Sequence, residues 1–274
     1  MKRLYNNASK ERLFVKSGAK PYVLLLVLMI AGAGISCRRG APIADERGAE
    51  RPAVDAITEA DQFYAGRADL VKVRQGLVVL RQAQASDQGN YDLAWRLGKF
   101  NYYLGAHSPD SAERGKAFHD GIEAGKLAVN LQDGKPDGHF WLGANYGGSA
   151  EDSLLAGLSE IDDIKHEMET VIKLDEGYQS GSAYMVLGQV YLQAPGMLGG
   201  DTQKAIQYLE RGLRFGPDNS LLRAHLAEAY VEAHRNADAR KQIDALLAMK
   251  PAAGYEPEHE AALVLARKLQ EKIK

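Results

Sequence analysis

A leucine beside a small residue, with an aromatic about one helical turn later, returns four times along this chain. The copies are Leu97-Gly98 with Tyr102, Trp141-Leu142-Gly143 with Tyr146, Leu187-Gly188 with Tyr191, and Leu226-Ala227 with Tyr230. A phrase recurring at a spacing of tens of residues marks stacked helical units, none of which can bury its apolar face alone. Its physical content is close packing. The Gly or Ala lets a second helix approach, and the aromatic fills the space beside it.

The last unit is the most regular. With Leu226 as position 7 of a unit of about 34 residues, Ala227, Tyr230, Ala239 and Pro251 take its small, aromatic, small and proline positions. The unit before it carries Ala205, Leu209, Gly212 and Pro217, spaced as Ala239, Ile243, Leu246 and Pro251 are. On these residues the chain resembles the tetratricopeptide repeat family. The reference leucines are 45, 45 and 39 residues apart. The surplus is assigned to Gly147-Gly148-Ser149 and to residues 194–200, as loops inserted between helices, which leave the packed seam undisturbed. The predicted fold is all-α: a tetratricopeptide-like helical-repeat solenoid with inserted loops between helices and a C-terminal capping helix.

No sustained alternation argues for a strand. A first helix pair is expected over about 56–66 and 69–85, followed by a helix from Tyr91 to Ala106. Ser108-Pro109 reads as the N-cap and first-turn proline of the next helix. Leu154, Leu158, Ile161, Ile164, Met168 and Val171 form one apolar stripe on a long helix. Glu160, Asp162, Asp163, Glu167 and Glu169 fall on its other faces, expected to be solvated. Asp201 is an expected N-cap, as is Asn236 or Asp238. From Pro257 onward, Ala262, Leu265, Leu269 and Ile273 give the closing amphipathic helix.

The ends of the chain differ in charge. Net charge is −2, yet the first 37 residues hold six Lys/Arg against one Glu, so the remainder is acidic and carries no footprint for nucleic acid. Lys2 through Lys20 precede a short apolar run from Tyr22 to Ile30, which fades into small residues and ends at Cys37. That order describes an export signal, and its core is shorter than the ~20 residues of a comfortable membrane span. Gly34-Ile35-Ser36-Cys37 resembles a bacterial lipobox, which implies lipidation of Cys37; an inner-membrane signal anchor is the alternative. Cys37 is the only cysteine, so no intramolecular disulfide forms. The expected organisation is a signal over 1–37, a flexible tether over 38–55 and a helical-repeat domain over 56–274.

No catalytic constellation is visible, and neither enzymatic activity, a cofactor nor a metal is expected. His166-Glu167-Met168-Glu169-Thr170 begins like a zinc-protease helix but lacks the second histidine. His139 and His225 have no second ligand at helical spacing and read as polar helix-surface residues. The tetratricopeptide resemblance implies a concave groove lined by the first helix of each unit. Its positions here are Trp95, Lys99, Tyr102 and Tyr103; then Phe140, Ala144, Gly147 and Gly148; then Met185, Gln189, Leu192 and Gln193; and finally Ala224, Glu228, Val231 and Glu232. Such a groove is aromatic at its amino-terminal side and acidic at its carboxy-terminal end. Family members that grip a terminal carboxylate use several basic and amide side chains there. Lys99 stands alone, so an apolar ligand or an amphipathic partner segment fits better.

A narrower resemblance covers about 60–250. Phe140-Trp141-Leu142-Gly143, the segment that follows to Ile164, and Ala194-Pro195-Gly196 running into Gly199-Gly200-Asp201 with Lys204-Ala205 resemble the T component of tripartite ATP-independent periplasmic (TRAP) transporters. This implies a lipid-anchored, oligomeric binding or scaffold protein on the periplasmic side of a bacterial envelope. The implied partners are a periplasmic solute-binding protein and a hydrophobic small ligand. A general cell-envelope assembly adaptor, binding only proteins, is the alternative reading.

Overall fold

The computed structural model describes residues 52–152 and 154–273, with side chains given for all of these except 154–159. The expected export signal, Cys37 and the expected tether before Pro52 lie outside the described residues. Eleven α-helices and no strand occur among the described residues. They are α1 (Ala53–Ala65), α2 (Leu70–Ser86), α3 (Tyr91–His107), α4 (Ser111–Leu131), α5 (Pro136–Asp152) and α6 (Leu154–Leu174). After these come α7 (Ser182–Gln193), α8 (Thr202–Phe215), α9 (Ser220–Glu232), α10 (Asn236–Ala248) and α11 (Glu256–Lys272). Among the described residues, no helix is long and apolar enough to cross a membrane.

Helices pair in sequence order, α1 with α2 through α9 with α10, and α11 closes the array against α9 and α10. This is a helical-repeat solenoid of five helix pairs and a cap. Short polar side chains start many of the helices. Asp69, Asn90, Asp110, Asp201 and Asn219 each accept a hydrogen bond from a first-turn backbone N–H, a device worth about 1 kcal/mol apiece. Asp201 is the expected cap. At α4 the cap is Asp110 rather than Ser108, whose hydroxyl instead donates to Glu113 at 2.5 Å. At α10 neither Asn236 nor Asp238 caps; Arg235 holds the N-cap position without a side-chain bond, and Asp238 pairs with it at 2.8 Å.

The recurring phrase makes the seams. A Cβ on Gly188 would sit 2.5 Å from Leu209 Cγ, and one on Gly143 would sit 2.5 Å from Met168 Cε, so each glycine lets the second helix of its own unit come close. Ala227 takes the same place in the last unit and is 1% exposed. Between units, a Cβ on Gly125 of α4 would lie 2.8 Å from the Leu142 Cα, a backbone atom that cannot rotate away. Asn145 fastens this junction, donating from Nδ2 to the carbonyls of Gly98 at 3.0 Å and Trp141 at 2.7 Å.

One expected loop is helix. Gly147-Gly148-Ser149 continues α5, because the Phe118 ring takes the space that a side chain on Gly148 would fill. Burial of that ring outweighs the weak helix propensity of two glycines, roughly 1 kcal/mol each. The second insertion is a loop, with a short 3-10 turn at Gly196–Leu198 and left-handed Gly199 at φ +85°.

His139 is also placed differently from expectation. It is 2% exposed rather than on the surface, because its ring bridges Glu167 of α6, 2.6 Å from Nδ1, and the Asp133 carbonyl, 2.8 Å from Nε2. The Glu167 hydrogen bond raises the His139 pKa above its ordinary 6.5, against the opposing effect of burial.

Two glycines of α4 provide opposite expectations. Gly125→Ala should destabilise by about 2 kcal/mol through overpacking. Gly115→Ala, at an exposed site with nothing within 4 Å, should stabilise by about 0.5–1 kcal/mol; urea unfolding of the two variants reads both signs. For His139, a pKa raised on folding means the added stability is complete below 6.5 and is lost as pH rises through the higher folded value. The stability difference between wild type and His139→Gln should therefore shrink on raising the pH, and the ring's NMR midpoint should lie above 6.5. A midpoint at or below that value contradicts the bridge.

Candidate functional site

First helices do not stack uniformly. α3 packs on α5 and α7 on α9, whereas the backbones of α5 and α7 stand apart, with α6 reaching α7 instead. Inside the curve they leave a cavity of about 1030 Å³, at the upper end of the range for sites that enclose a small molecule. Tyr64 comes from α1, Trp95, Lys99 and Tyr102 from α3, and Phe140, Trp141 and Ala144 from α5. Met185 and Gln189 of α7, the first turn of α9 at Ser220 and Leu221, and Glu258 and His259 of α11 complete the wall.

The two ends of the array meet across this space. Arg67, in the turn after α1, donates from Nη2 to Glu258 Oε2 at 2.5 Å and to the Gly254 carbonyl at 2.6 Å, a contact spanning 191 residues. The guanidinium also lies over the Tyr64 ring at 4.9 Å. Arg67 is only 4% exposed, so the planar fork is held by carboxylate, carbonyl and ring together. Beside it, Ser220 Oγ and His259 Nδ1 are 2.8 Å apart in a buried pair that ties α9 to α11.

Ten of the sixteen groove positions expected from sequence line the cavity: Trp95, Lys99, Tyr102, Phe140, Ala144, Gly147, Gly148, Met185, Gln189 and Gln193. Each belongs to a first helix, and their side chains converge because those helices curve around one centre. Tyr103 and Leu192 are not in the wall. Tyr103 lies behind it, 5% exposed, stacked on His107 at 4.0 Å and edge-on to Tyr64 at 5.8 Å. Leu192 packs on the C-terminal core formed by α8 to α11. The four positions expected from α9, Ala224, Glu228, Val231 and Glu232, are also outside. Ala224 joins the same core as Ala262 and Ala266 of α11, Glu232 is exposed, and only the first turn of α9 reaches the cavity.

Two of the four acids in the wall are held by arginines. Asp61 is held by Arg96 at 3.0 Å, and Glu258 by Arg67. Gln189 Nε2 donates to His225 Nε2 at 2.9 Å, and His225 reaches Glu228 at 3.1 Å. Lys99 differs. Its Nζ sits 3.9 Å from the Tyr64 ring centroid and 6.0 Å from the rings of Trp95 and Trp141, with no ion pair among the described residues. Burial lowers its pKa to about 8. Among the described residues, no group of three or more His, Cys, Asp or Glu could hold a metal ion.

A model of the TRAP transporter T-component family matches residues 119–274, more than half of the chain. The chain belongs to that family. Among curated proteins, none matches the chain in sequence. In structure it is similar to a thermophilic TPR protein of Thermus thermophilus, with TM-score 0.59 and 18% identity, over 80% of this chain and 99% of that one. It is also similar to PilF of Pseudomonas aeruginosa, with TM-score 0.51 and 17% identity, over 81% of this chain and 94% of that one. At these identities the likeness concerns the fold.

The match to the T-component family begins in α4, so Tyr64, Arg67, Trp95 and Lys99 precede the matched residues. Sequence reasoning found Trp95 and Lys99 through the repeat register. It missed Tyr64, Arg67 and Glu258, which lie outside the recurring phrase and meet only when the array curls. Trp141 stood in the phrase itself and was read as seam alone. Its ring does pack against Tyr102 at 5.8 Å and Phe140 at 5.0 Å, but it also faces the cavity.

Removing one partner from the Arg67–Glu258 clasp strands a buried charge. Glu258→Ala should destabilise by about 3 kcal/mol and widen the solenoid, read by urea unfolding and by an increased radius of gyration in solution scattering. Wild-type values of both would show that the ends do not depend on this contact.

Proposed function

We propose that this T-component protein is a lipid-anchored accessory subunit of a TRAP-type transporter on the periplasmic face of a bacterial membrane, with Cys37 as the lipidated residue. Its solenoid docks a periplasmic solute-binding protein, and its cavity holds a hydrophobic small molecule. The observation that carries the ligand half is the cavity itself. Helices from every part of the array contribute aromatic and aliphatic side chains to one space, and the Arg67–Glu258 clasp closes one side of it. A largely apolar lining with a few polar groups is the composition of a small-molecule site.

Family membership supports the transporter half, and tetratricopeptide-like surfaces suit the recognition of a protein partner. The export signal and the lipobox-like Gly34-Ile35-Ser36-Cys37 support the anchor. An assembly adaptor would share the anchor and the docking surface but leave the cavity without a role.

Full-length protein taken from native membranes in mild detergent should carry a releasable small molecule by native mass spectrometry. Its amino terminus should be an acylated Cys37, lost in Cys37→Ser. Met185→Trp, which fills the cavity, and Trp95→Ala, which removes part of its wall, should each cut binding of an apolar fluorescent probe about tenfold while helical circular dichroism stays unchanged. Co-purification of a protein partner without any small molecule, together with unaltered probe binding in both variants, would favour the adaptor.

A further inference from the structure

We propose that the turn carrying Met197, with Lys165 and Lys204 beside it, is the face on which a partner protein docks, and that the partner offers an apolar pocket bordered by carboxylates. This rests on the reading of the solenoid as a docking scaffold for a solute-binding protein. It adds where that partner is held and by what chemistry.

Residues 194–200 join α7 to α8. Met197 is 91% exposed, more than any other large apolar side chain among the described residues. The turn beneath it is firmly built. The Pro195 carbonyl accepts from the N–H of Leu198 at 2.8 Å and from that of Gly200 at 3.1 Å. At the base of the loop, the Asp201 N–H donates to the Tyr191 carbonyl at 2.7 Å. Gly199 takes a left-handed φ of +85°, and Gly200 lies so close to the Ala194 carbonyl that no Cβ fits. The thioether is thus held out in water by a preformed backbone, which has little ordering left to lose when a partner covers it. Methionine is also the apolar side chain that best adapts to the shape of a pocket.

Two cations stand beside this knob. Lys165 of α6 reaches the turn, since a Cβ on Gly199 would lie 3.4 Å from its Nζ. Lys204 follows in the first turn of α8. Both ammoniums lie over the Tyr191 ring, at 5.1 and 5.4 Å from its centroid. The ring face attracts them but accepts no strong hydrogen bond, so their N–H donors stay largely unspent. Neither forms an ion pair among the described residues, although Glu169 follows Lys165 by one helical turn. Asp201 is spent on α8, where it accepts from the backbone N–H of Gln203 and of Lys204. The outcome is an apolar knob next to two uncompensated positive charges, on a body that is otherwise acidic. Its complement is a pocket for the thioether with acids at the rim for the ammoniums.

The test is biolayer interferometry of the full-length protein, in detergent, against the purified solute-binding protein of the same transporter, at low and at high salt. Met197→Asp should weaken binding at least about tenfold, as loss of a central anchor does. Lys165→Glu combined with Lys204→Glu should weaken it as much, mainly by slowing association, and the weakening by salt seen in the wild type should disappear. Val264→Asp, at a site 50% exposed on α11, should bind like the wild type. Helical circular dichroism should be the same in all of them. Wild-type affinity in Met197→Asp or in the lysine pair would overturn this face and leave docking elsewhere on the solenoid standing. Equal weakening by Val264→Asp would overturn it too. A fall in the protein's own oligomeric mass in Met197→Asp, with partner binding intact, would give the turn to a second copy of the chain instead. Absence of binding by the wild type would remove the docking reading along with this one.

Discussion

Backbone-to-backbone closeness is the constraint on which this molecule depends. Gly125 against the Leu142 backbone and Gly188 against the Leu209 side chain leave no room for a single methyl, and such contacts fix how far each helix stands from the next. Small differences in that spacing accumulate along a solenoid into its curvature. The curvature in turn brings α1 and α11 near enough for Arg67 to reach Glu258. A cavity with walls from five first helices and the cap is therefore a remote consequence of glycines that never touch it.

Buried polar groups supply what packing alone leaves unspecified. Asn145 ties α5 to the α3 carbonyl at Gly98, His139 joins α5 to α6, and Ser220 with His259 joins α9 to the cap. Each of these bonds is satisfied only when two particular helices lie in one register, so together they select one arrangement among many that would bury similar apolar area. Their positions are not spread evenly. The His139–Glu167 bridge stands where α5 departs from α7, at the place where the simple stacking of first helices is interrupted.

Much of this was legible in the sequence, and the division is physical. The recurring Leu-Gly phrase reports local packing, so it gave the helix pairs and the register, and the family resemblance laid on that register implied ten of the wall residues. The same reasoning misread Gly147-Gly148, because intrinsic propensity favours a break there and the burial of Phe118 that overrides it is a contact with another helix. Ser108 and Asp110 are both competent caps, and local sequence could not choose between them. Arg67, Glu258 and the shielding of α9 by α11 depend on the summed rotation of five units. No window of sequence contains that sum. The uneven reach of the groove, which omits Tyr103, Leu192 and most of α9, follows from the same curl.

The wall of the cavity is drawn from both sides of the start of the family match. Phe140, Met185 and Gln189 belong to the portion that the T-component family shares, while Tyr64, Arg67, Trp95 and Lys99 belong to the portion ahead of it. Tyr64 and Arg67 couple the opening helices to the cap, so both ends of the array set the mouth of the vessel at once.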